Sequence, residues 1–556
     1  MTTTAQRSGS EAAQADAVAR QIEEIRRVAD ADLPRAIAIA AELRARGVAH
    51  PLLHHMAALQ LKHDGRLDEA VAELGRGLEL DPRDVPMIIT LGFCLVDLER
   101  LVQAAKMFEL ALKLNPNSPH ACYGYGWAAE GMGALDAAQS AWQRAVALDP
   151  RHADAWAGLA GLAVRRREWS DAKTFSGKAL ELDPGQTDAM MNLARIDMGQ
   201  ADHAAAAMRI RETIALPFLK PLARANCRIM LGDALDAQGR QAEAFSAYTE
   251  GKAEIGALYA SVFAAPDMAR ATDVAERILA EFLETPTTAW ARPLLLAGGY
   301  QAGERGHAFL MGFPRSGTTL LEQVLETHPD VVSLDERPLL LNAEVEFLAQ
   351  AGGVKRLADV LPMFLEPFQE NYWNTVRELG VDPTGKVFVD KLPLGTVRLP
   401  LISKVFPYAK IIFAVRDPRD VVFSCFRRSF NMNPAMYEFN TLEGAARYYD
   451  AVMRAGEAYF ERLPLDVRRV RYEDLVADFD AVTRGVCDFI GVDWTDDLRN
   501  FARTVGERRI ATPSSVQIGR GLYTEGAGQW RPYAFALADV MPILQPWVEK
   551  FGYDAA

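Results

Sequence analysis

Phe309-Leu-Met-Gly-Phe-Pro-Arg-Ser-Gly-Thr-Thr-Leu320 decides how the C-terminal half of this chain is read. An apolar run enters a Gly/Pro/Ser loop, and an amphipathic segment follows. That order predicts a strand, a turn and a helix whose first N–H groups face an anion. Gly312 and Gly317 bracket four residues, which is Walker A spacing, but Thr318 and Thr319 follow where that motif places its lysine. The cation stands earlier, at Arg315. A loop without the lysine is poorly suited to the β- and γ-phosphates of ATP.

Outward from this loop, short apolar runs alternate with helical patterns, as a parallel sheet requires. Strands are expected at 307–313, 331–334, 386–390, 410–415 and 467–472, with helices at 317–328, 398–405, 418–426 and 475–490. Ligands in such sheets gather at the C-terminal strand ends, and the distinctive residues fall there. Arg416-Asp-Pro-Arg-Asp-Val-Val-Phe-Ser424 sets an arginine at a strand end and a serine eight residues on. A guanidinium fork with a hydroxyl suits a phosphate monoester, and Arg419 is a candidate extra cation. Ser333-Leu-Asp-Glu-Arg-Pro338 places Glu336 21 residues beyond Arg315, a carboxylate able to take a proton from a hydroxyl. Asp335 is its rival, and His328 lies within a helix end. Lys391, in Val389-Asp-Lys-Leu-Pro393, is a cation at a third strand end, suited to stabilising developing charge. Tyr472 follows the last strand. Near the end, Ser514-Ser-Val-Gln-Ile-Gly-Arg520 precedes Trp530 by ten residues, through a glycine-rich stretch that suits a segment ordering on binding.

The Pro-Arg-Ser-Gly-Thr-Thr loop resembles the 5′-phosphosulfate loop of sulfotransferases that use 3′-phosphoadenosine 5′-phosphosulfate (PAPS). Arg416 and Ser424 resemble their second nucleotide signature. Glu336, Lys391 and the Ser514–Trp530 segment are similar to those of protein-tyrosine sulfotransferases and related bacterial enzymes. The resemblance implies that Pro314, Arg315, Ser316, Gly317, Thr318 and Thr319 hold the 5′-phosphosulfate, Arg416 and Ser424 the 3′-phosphate, and that Tyr472 lies near the adenine. It implies Glu336 as base, with Lys391, Ser514 and Arg315 stabilising the transition state and no metal required. Arg520 stands where those relatives carry a lysine that closes over the cofactor; it keeps the charge with a different geometry. The implied reaction moves a sulfuryl group from PAPS to a hydroxyl, a protein tyrosine first and a carbohydrate hydroxyl as the alternative. Two readings from other classes stay open, a P-loop kinase and a non-catalytic repeat scaffold. The absent lysine opposes the first, and the intact Arg315, Glu336, Lys391, Arg416 and Ser424 oppose the second.

The N-terminal half is repetitive. Pro82, Pro116, Pro150 and Pro184 are 34 residues apart, the tetratricopeptide period. Ala70, Ala104, Ala138 and Ala172 share that spacing, as do Leu74, Phe108 and Trp142, with Phe175 one residue early. Gly92 and Gly126, with Ala58 and Ala160, fit the close-approach position of the first helix. Residues 187–216 and 225–254 read as looser repeats, and 15–47 as a capping pair. The expected fold is α plus α/β: a tetratricopeptide α-solenoid with a helical cap over 1–260, a helical junction over 261–304, and a P-loop-like sulfotransferase domain over 305–556 with a parallel sheet flanked by helices. The concave face of such an array suits a protein or peptide acceptor or a partner protein, with a saccharide acceptor as the alternative; Arg427, Arg428 and Arg447 are candidates for a groove receiving an acidic peptide.

Composition fits this plan. Of 556 residues, 49% are apolar and 24% charged, ordinary for a globular chain of two or more domains. A net charge of −13 opposes a general nucleic-acid binder, so anion sites must be local clusters. Five scattered cysteines without C-x-x-C spacing indicate neither a zinc site nor a disulfide framework. The start, Met1-Thr-Thr-Thr-Ala-Gln-Arg, carries no secretory signal, and no run is long enough to span a bilayer. The expected location is the cytoplasm.

Overall fold

The structure is a computed structural model that describes residues 16–29, 31–217, 219–265, 268–293, 303–501 and 526–554. It divides into two compact units, Met1–Arg209 and Ile210–Ala556.

In the first unit the 34-residue period becomes helix pairs: Pro51–His63 with Leu67–Leu80, Val85–Asp97 with Leu101–Leu114, Pro119–Gly131 with Leu135–Leu148, and Ala153–Arg165 with Trp169–Leu182. The periodic prolines fall in the turn after each second helix, where a missing N–H breaks no helical bond. Two residues later Asp84, Ser118, His152 and Gln186 cap the next helix, their side chains accepting from the N–H three residues on at 3.0, 3.2, 3.3 and 2.9 Å. Within pairs the chain turns through left-handed positions that are also 34 apart: Gly65, Glu99, Gly133, Arg167 and Ala201. Ala70, Ala104, Ala138 and Ala172 are fully buried where helices cross. A Cβ on Gly92 would lie 2.7 Å from the Phe108 ring, and one on Gly126 2.3 Å from Trp142, so glycine there seats the neighbouring aromatic. In the fourth repeat Ser176 takes the buried register position instead of Phe175. The Phe175 ring turns onto Trp156, with centroids 5.7 Å apart.

The second unit begins upstream of the limit at 260 read from the sequence. Helices Pro221–Asp236 and Gln241–Phe263 keep the repeat pattern, with Gly232 seating Tyr248. Their core is nevertheless shared with the sheet domain: Tyr248 lies edge-on to Phe423 at 6.4 Å and Phe245 lies 5.8 Å from Phe426. The sheet is wholly parallel, β1 (Gly306–Gly312), β2 (Val331–Asp335), β3 (Val387–Lys391), β4 (Lys410–Val415) and β5 (Asp466–Arg471), in the order β2-β3-β1-β4-β5. Side chains alternate between two apolar layers. Phe309 and Met311 enter one, Ala308 and Leu310 the other, which is why the central strands read as continuous apolar runs. The helix expected over 475–490 is two, Tyr472–Ala477 and Phe479–Ile490. Asp478 breaks them, its carboxylate accepting from the Ala481 N–H at 3.1 Å and capping the second. Among the described residues no helix is long and apolar enough to cross a membrane.

Candidate active site

β1 ends at Gly312, so close to β4 that a Cβ would lie 2.5 Å from the Ala414 carbonyl oxygen. The loop then turns through left-handed backbone at Arg315, φ 72°, and Gly317, φ 95°. Helix Thr318–Glu326 starts directly after Gly317. Its first-turn N–H groups have no intrahelical acceptors, and the helix dipole adds positive potential there. Among the described residues of the second unit, the non-glycine residues with positive φ are Arg315 and Glu336. Such backbone costs about 1 kcal/mol or more and gathers at functional sites.

Cations surround this loop. Arg315 Nε donates to Ser424 Oγ at 3.0 Å, and one Arg416 nitrogen donates to the Arg315 carbonyl at 2.9 Å. Arg416 also bonds the Gly526 carbonyl and lies over the Tyr472 ring, 4.8 Å from its centroid. The loop, Arg416, Ser424 and Tyr472 therefore meet in one place. Burial, reinforced by the nearby Arg428, Arg416 and Arg427, pulls the Arg315 guanidinium down to about 10. Like charges gathered in a buried site favour an anion between them. Arg419 is not a spare cation: Asp417 holds it at 2.9 and 2.8 Å, and it lies 3.9 Å over Trp530. The Asp420 carboxylate accepts from the N–H groups of Gly528 and Trp530 at 2.7 and 2.8 Å, fastening that segment beside Arg416. Ser514 and Arg520 lie outside the described residues.

The arginines considered for an acidic-peptide groove are engaged elsewhere. Arg427 pairs with Asp236 at 3.1 Å, Arg428 with Asp233 at 3.0 Å and Arg447 with Glu443 at 2.6 Å. The first two join helix Pro221–Asp236 to the sheet domain, with Tyr248 Oη donating to Asp233 and Tyr533 Oη to Asp236 at 2.8 and 2.6 Å.

At the neighbouring strand ends, Lys391 carries the densest charge cluster. Its ammonium is buried and meets Glu336 at 2.7 Å, Asp335 in a short contact, and Glu322 at 3.6 Å. β2 and β3 align Asp335 with Lys391, and the Glu336 N–H donates to the Lys391 carbonyl at 2.9 Å. Burial opposes the lysine's charge, but the three carboxylates outweigh it and hold Lys391 above the usual lysine range. Burial pushes Glu322 upward against the pull of Lys391. Glu322 was not foreseen; its signal is an acid in a helix whose neighbours Leu320, Leu321 and Val324 are all buried. His328 is structural, its Nε2 2.6 Å from the Asp493 carbonyl oxygen and its Nδ1 accepting from the Asp330 N–H at 3.0 Å.

A parallel sheet with an anion-cradling loop after its central strand defines an α/β domain of the phosphate-loop type. Residues 308–496 match the model of the sulfotransferase family, and residues 61–121 match that of the tetratricopeptide repeat. The chain thus carries one stretch that matches tetratricopeptide repeats and another that matches the sulfotransferase family. It is 27% identical over 264 residues to an uncharacterized protein of Aquifex aeolicus, a match spanning 44% of this chain and 34% of that protein. With protein-tyrosine sulfotransferase 1 of Danio rerio it shares 24% identity over 261 residues, 44% of this chain and 72% of the relative. Among solved structures, the sulfotransferase domain of the Synechococcus PCC 7002 olefin synthase covers 48% of this chain and 99% of its own at 25% identity, with a TM-score of 0.33.

Proposed function

We propose that this chain transfers a sulfuryl group from PAPS to a hydroxyl acceptor, a protein tyrosine, and that its repeats hold the acceptor protein or a partner. The observation that carries the reading is the pairing of two sites at adjacent strand ends. One is a cation-rich anion loop, and the other is a buried lysine shared with a half-exposed glutamate.

The residues present fit the donor. The left-handed loop and the helix N-terminus suit its phosphosulfate, with Pro314, Arg315, Ser316, Gly317, Thr318 and Thr319 around it. Arg416 and Ser424 suit a 3′-phosphate, and Tyr472, already stacked on Arg416, suits the adenine edge. PAPS brings the sulfuryl group in an activated phosphoric–sulfuric anhydride. Glu336 then has one task, taking the proton from the acceptor oxygen. Lys391 holds that carboxylate in place, and its fixed charge stabilises the negative charge that grows nearby. Arg315 supplies positive charge on the loop side. We also place the protein in the cytoplasm, a setting supported by its five buried cysteines, which lack C-x-x-C spacing.

The test has two stages. 3′,5′-Adenosine bisphosphate should raise the melting temperature of the full chain, with ADP and ATP far less effective. Radiolabelled PAPS should then label tyrosine-containing peptides and not oligosaccharides. Stabilisation by ATP without stabilisation by the bisphosphate sinks the donor assignment. Labelling of saccharides alone sinks the acceptor assignment.

A further inference from the structure

Asp420 lies in the first turn of helix Pro418–Phe426, its side chain sealed from solvent. A carboxylate so placed ordinarily faces a cation or several N–H donors. Among the described residues its ionic partner is Arg416, and that pair is no closer than 3.8 Å. Backbone from far along the chain satisfies it instead. The N–H groups of Gly528 and Trp530 donate to its two oxygens at 2.7 and 2.8 Å. Gly528 has φ 76°, a left-handed position, and such a turn lets nearby N–H groups converge on one anion.

The segment held this way reaches the arginine assigned to the 3′-phosphate. The Gly526 carbonyl accepts from Arg416, and a Cβ on Gly526 would lie 2.1 Å from Tyr472 Oη. Arg416 is buried and gripped on three sides, by the Arg315 carbonyl, the Gly526 carbonyl and the Tyr472 ring. Two further ties, Arg427 to Gln529 Oε1 and Arg419 over the Trp530 ring, hold side chains of the segment. Its backbone is left to Asp420.

We propose that Asp420 is a positioning residue of the donor site: by holding the Gly528 and Trp530 amides it sets the Gly526 carbonyl on Arg416 and so fixes the guanidinium for a 3′-phosphate. This rests on the donor site proposed above. Asp420 acts through the segment and needs no contact with the donor. Its charge and its geometry work in opposite directions. A carboxylate near Arg416 weakens that cation's pull on an anion, whereas the pinned segment aims the guanidinium in advance.

The experiment is calorimetric titration of the full chain with 3′,5′-adenosine bisphosphate and with 5′-AMP, in the wild type, Asp420→Asn and Asp420→Glu. Asparagine keeps the shape but can accept from only one of the two amides; glutamate keeps the charge but not the reach. The wild type should prefer the bisphosphate by at least about thirtyfold. Both variants should cut that preference about tenfold while binding AMP within about threefold of the wild type. An undiminished preference in both variants, or an equal loss for both nucleotides, overturns the role of Asp420 and leaves the donor site standing. Tighter bisphosphate binding by Asp420→Asn, with Asp420→Glu unchanged, overturns it as well, because Asp420 would then act by charge alone. A wild type that does not distinguish the two nucleotides overturns the donor site and the role of Asp420 together. If neither variant folds, hydrogen exchange of the wild type decides. The bisphosphate should slow the Gly528 and Trp530 amides at least about tenfold more than AMP does, and equal slowing overturns the role of Asp420.

Discussion

Glu336 is half exposed and Glu322 is sealed from solvent, although both carboxylates address the Lys391 ammonium. A base must be ionised and must be reachable by the acceptor oxygen. Glu322 is out of the acceptor's reach, and burial pushes it upward, toward the protonated form. Glu336 meets the second by its exposure, and the φ of 45° that aims it from the end of β2 is backbone strain retained for a purpose. Glu336→Gln is therefore expected to lower kcat roughly 10²- to 10⁴-fold, with stabilisation by the bisphosphate unchanged. Glu322→Gln keeps the shape of a side chain that the acceptor does not reach and should keep kcat within about threefold at pH 7. Asp335→Asn separates the rival: a loss matching that of Glu336→Gln would assign the proton to the pair and not to Glu336.

Beneath Lys391, β1 and β3 carry a second buried polar relay. His307 Nε2 lies 2.9 Å from Tyr372 Oη, which donates to Asp390 Oδ2 at 2.9 Å. Burial pulls His307 down to about 3 and pushes Asp390 up to about 7. Between pH 3 and 6.5 the unfolded chain binds the histidine proton more readily, so that group makes stability rise with pH. Between pH 3.8 and 7 the folded chain binds the aspartate proton more readily, so that group makes stability fall with pH. The two slopes oppose each other where the windows overlap. Asp390→Asn removes the falling one, so its melting temperature relative to the wild type should climb as pH goes from 4.5 to 7, a span inside that window. A difference flat across that span would mean that Asp390 titrates normally. The elements on which this relay sits were legible in the sequence. Short apolar runs placed all five strands within a residue or two, and in β1, β3 and β4 burial on both faces leaves little choice of residue. The loop, Arg416, Glu336 and Lys391 were legible for a related reason, each being polar at the end of an apolar strand, and Ser424, inside helix Pro418–Phe426, by its spacing from Arg416. What was illegible depends on pairing between distant elements. Nothing near Asp233 or Asp236 announces Arg428 or Arg427 nearly two hundred residues on, and Glu322 within its helix carries no periodic signal.

That long-range pairing makes the limit of the catalytic unit a question of energetics at the scale of the chain. The spacing within a repeat recurs at Gly232, Ala244 and Tyr248, four residues out of the 34-residue register, so sequence assigns helices Pro221–Asp236 and Gln241–Phe263 to the array. By packing, they belong to the unit that starts at Ile210. A fragment starting at residue 265 would strip Arg427, which is buried, of its carboxylate and uncover Phe423 and Phe426. Breaking one buried ion pair costs about 3–5 kcal/mol. That is comparable with the about 5–15 kcal/mol that holds an ordinary domain folded, before the exposed aromatic surface is added. A fragment of residues 210–556 should therefore unfold in one cooperative denaturant transition and be stabilised by 3′,5′-adenosine bisphosphate. A fragment of residues 265–556 should show a broad transition of low m-value and no stabilisation. If the shorter fragment unfolds as sharply and binds as well, the helix pair is part of the array after all. The longer fragment also isolates the work of the first unit. If the repeats up to Arg209 hold the acceptor protein, residues 210–556 should sulfate a short tyrosine peptide at the full-length kcat while KM for the intact acceptor protein rises at least about tenfold.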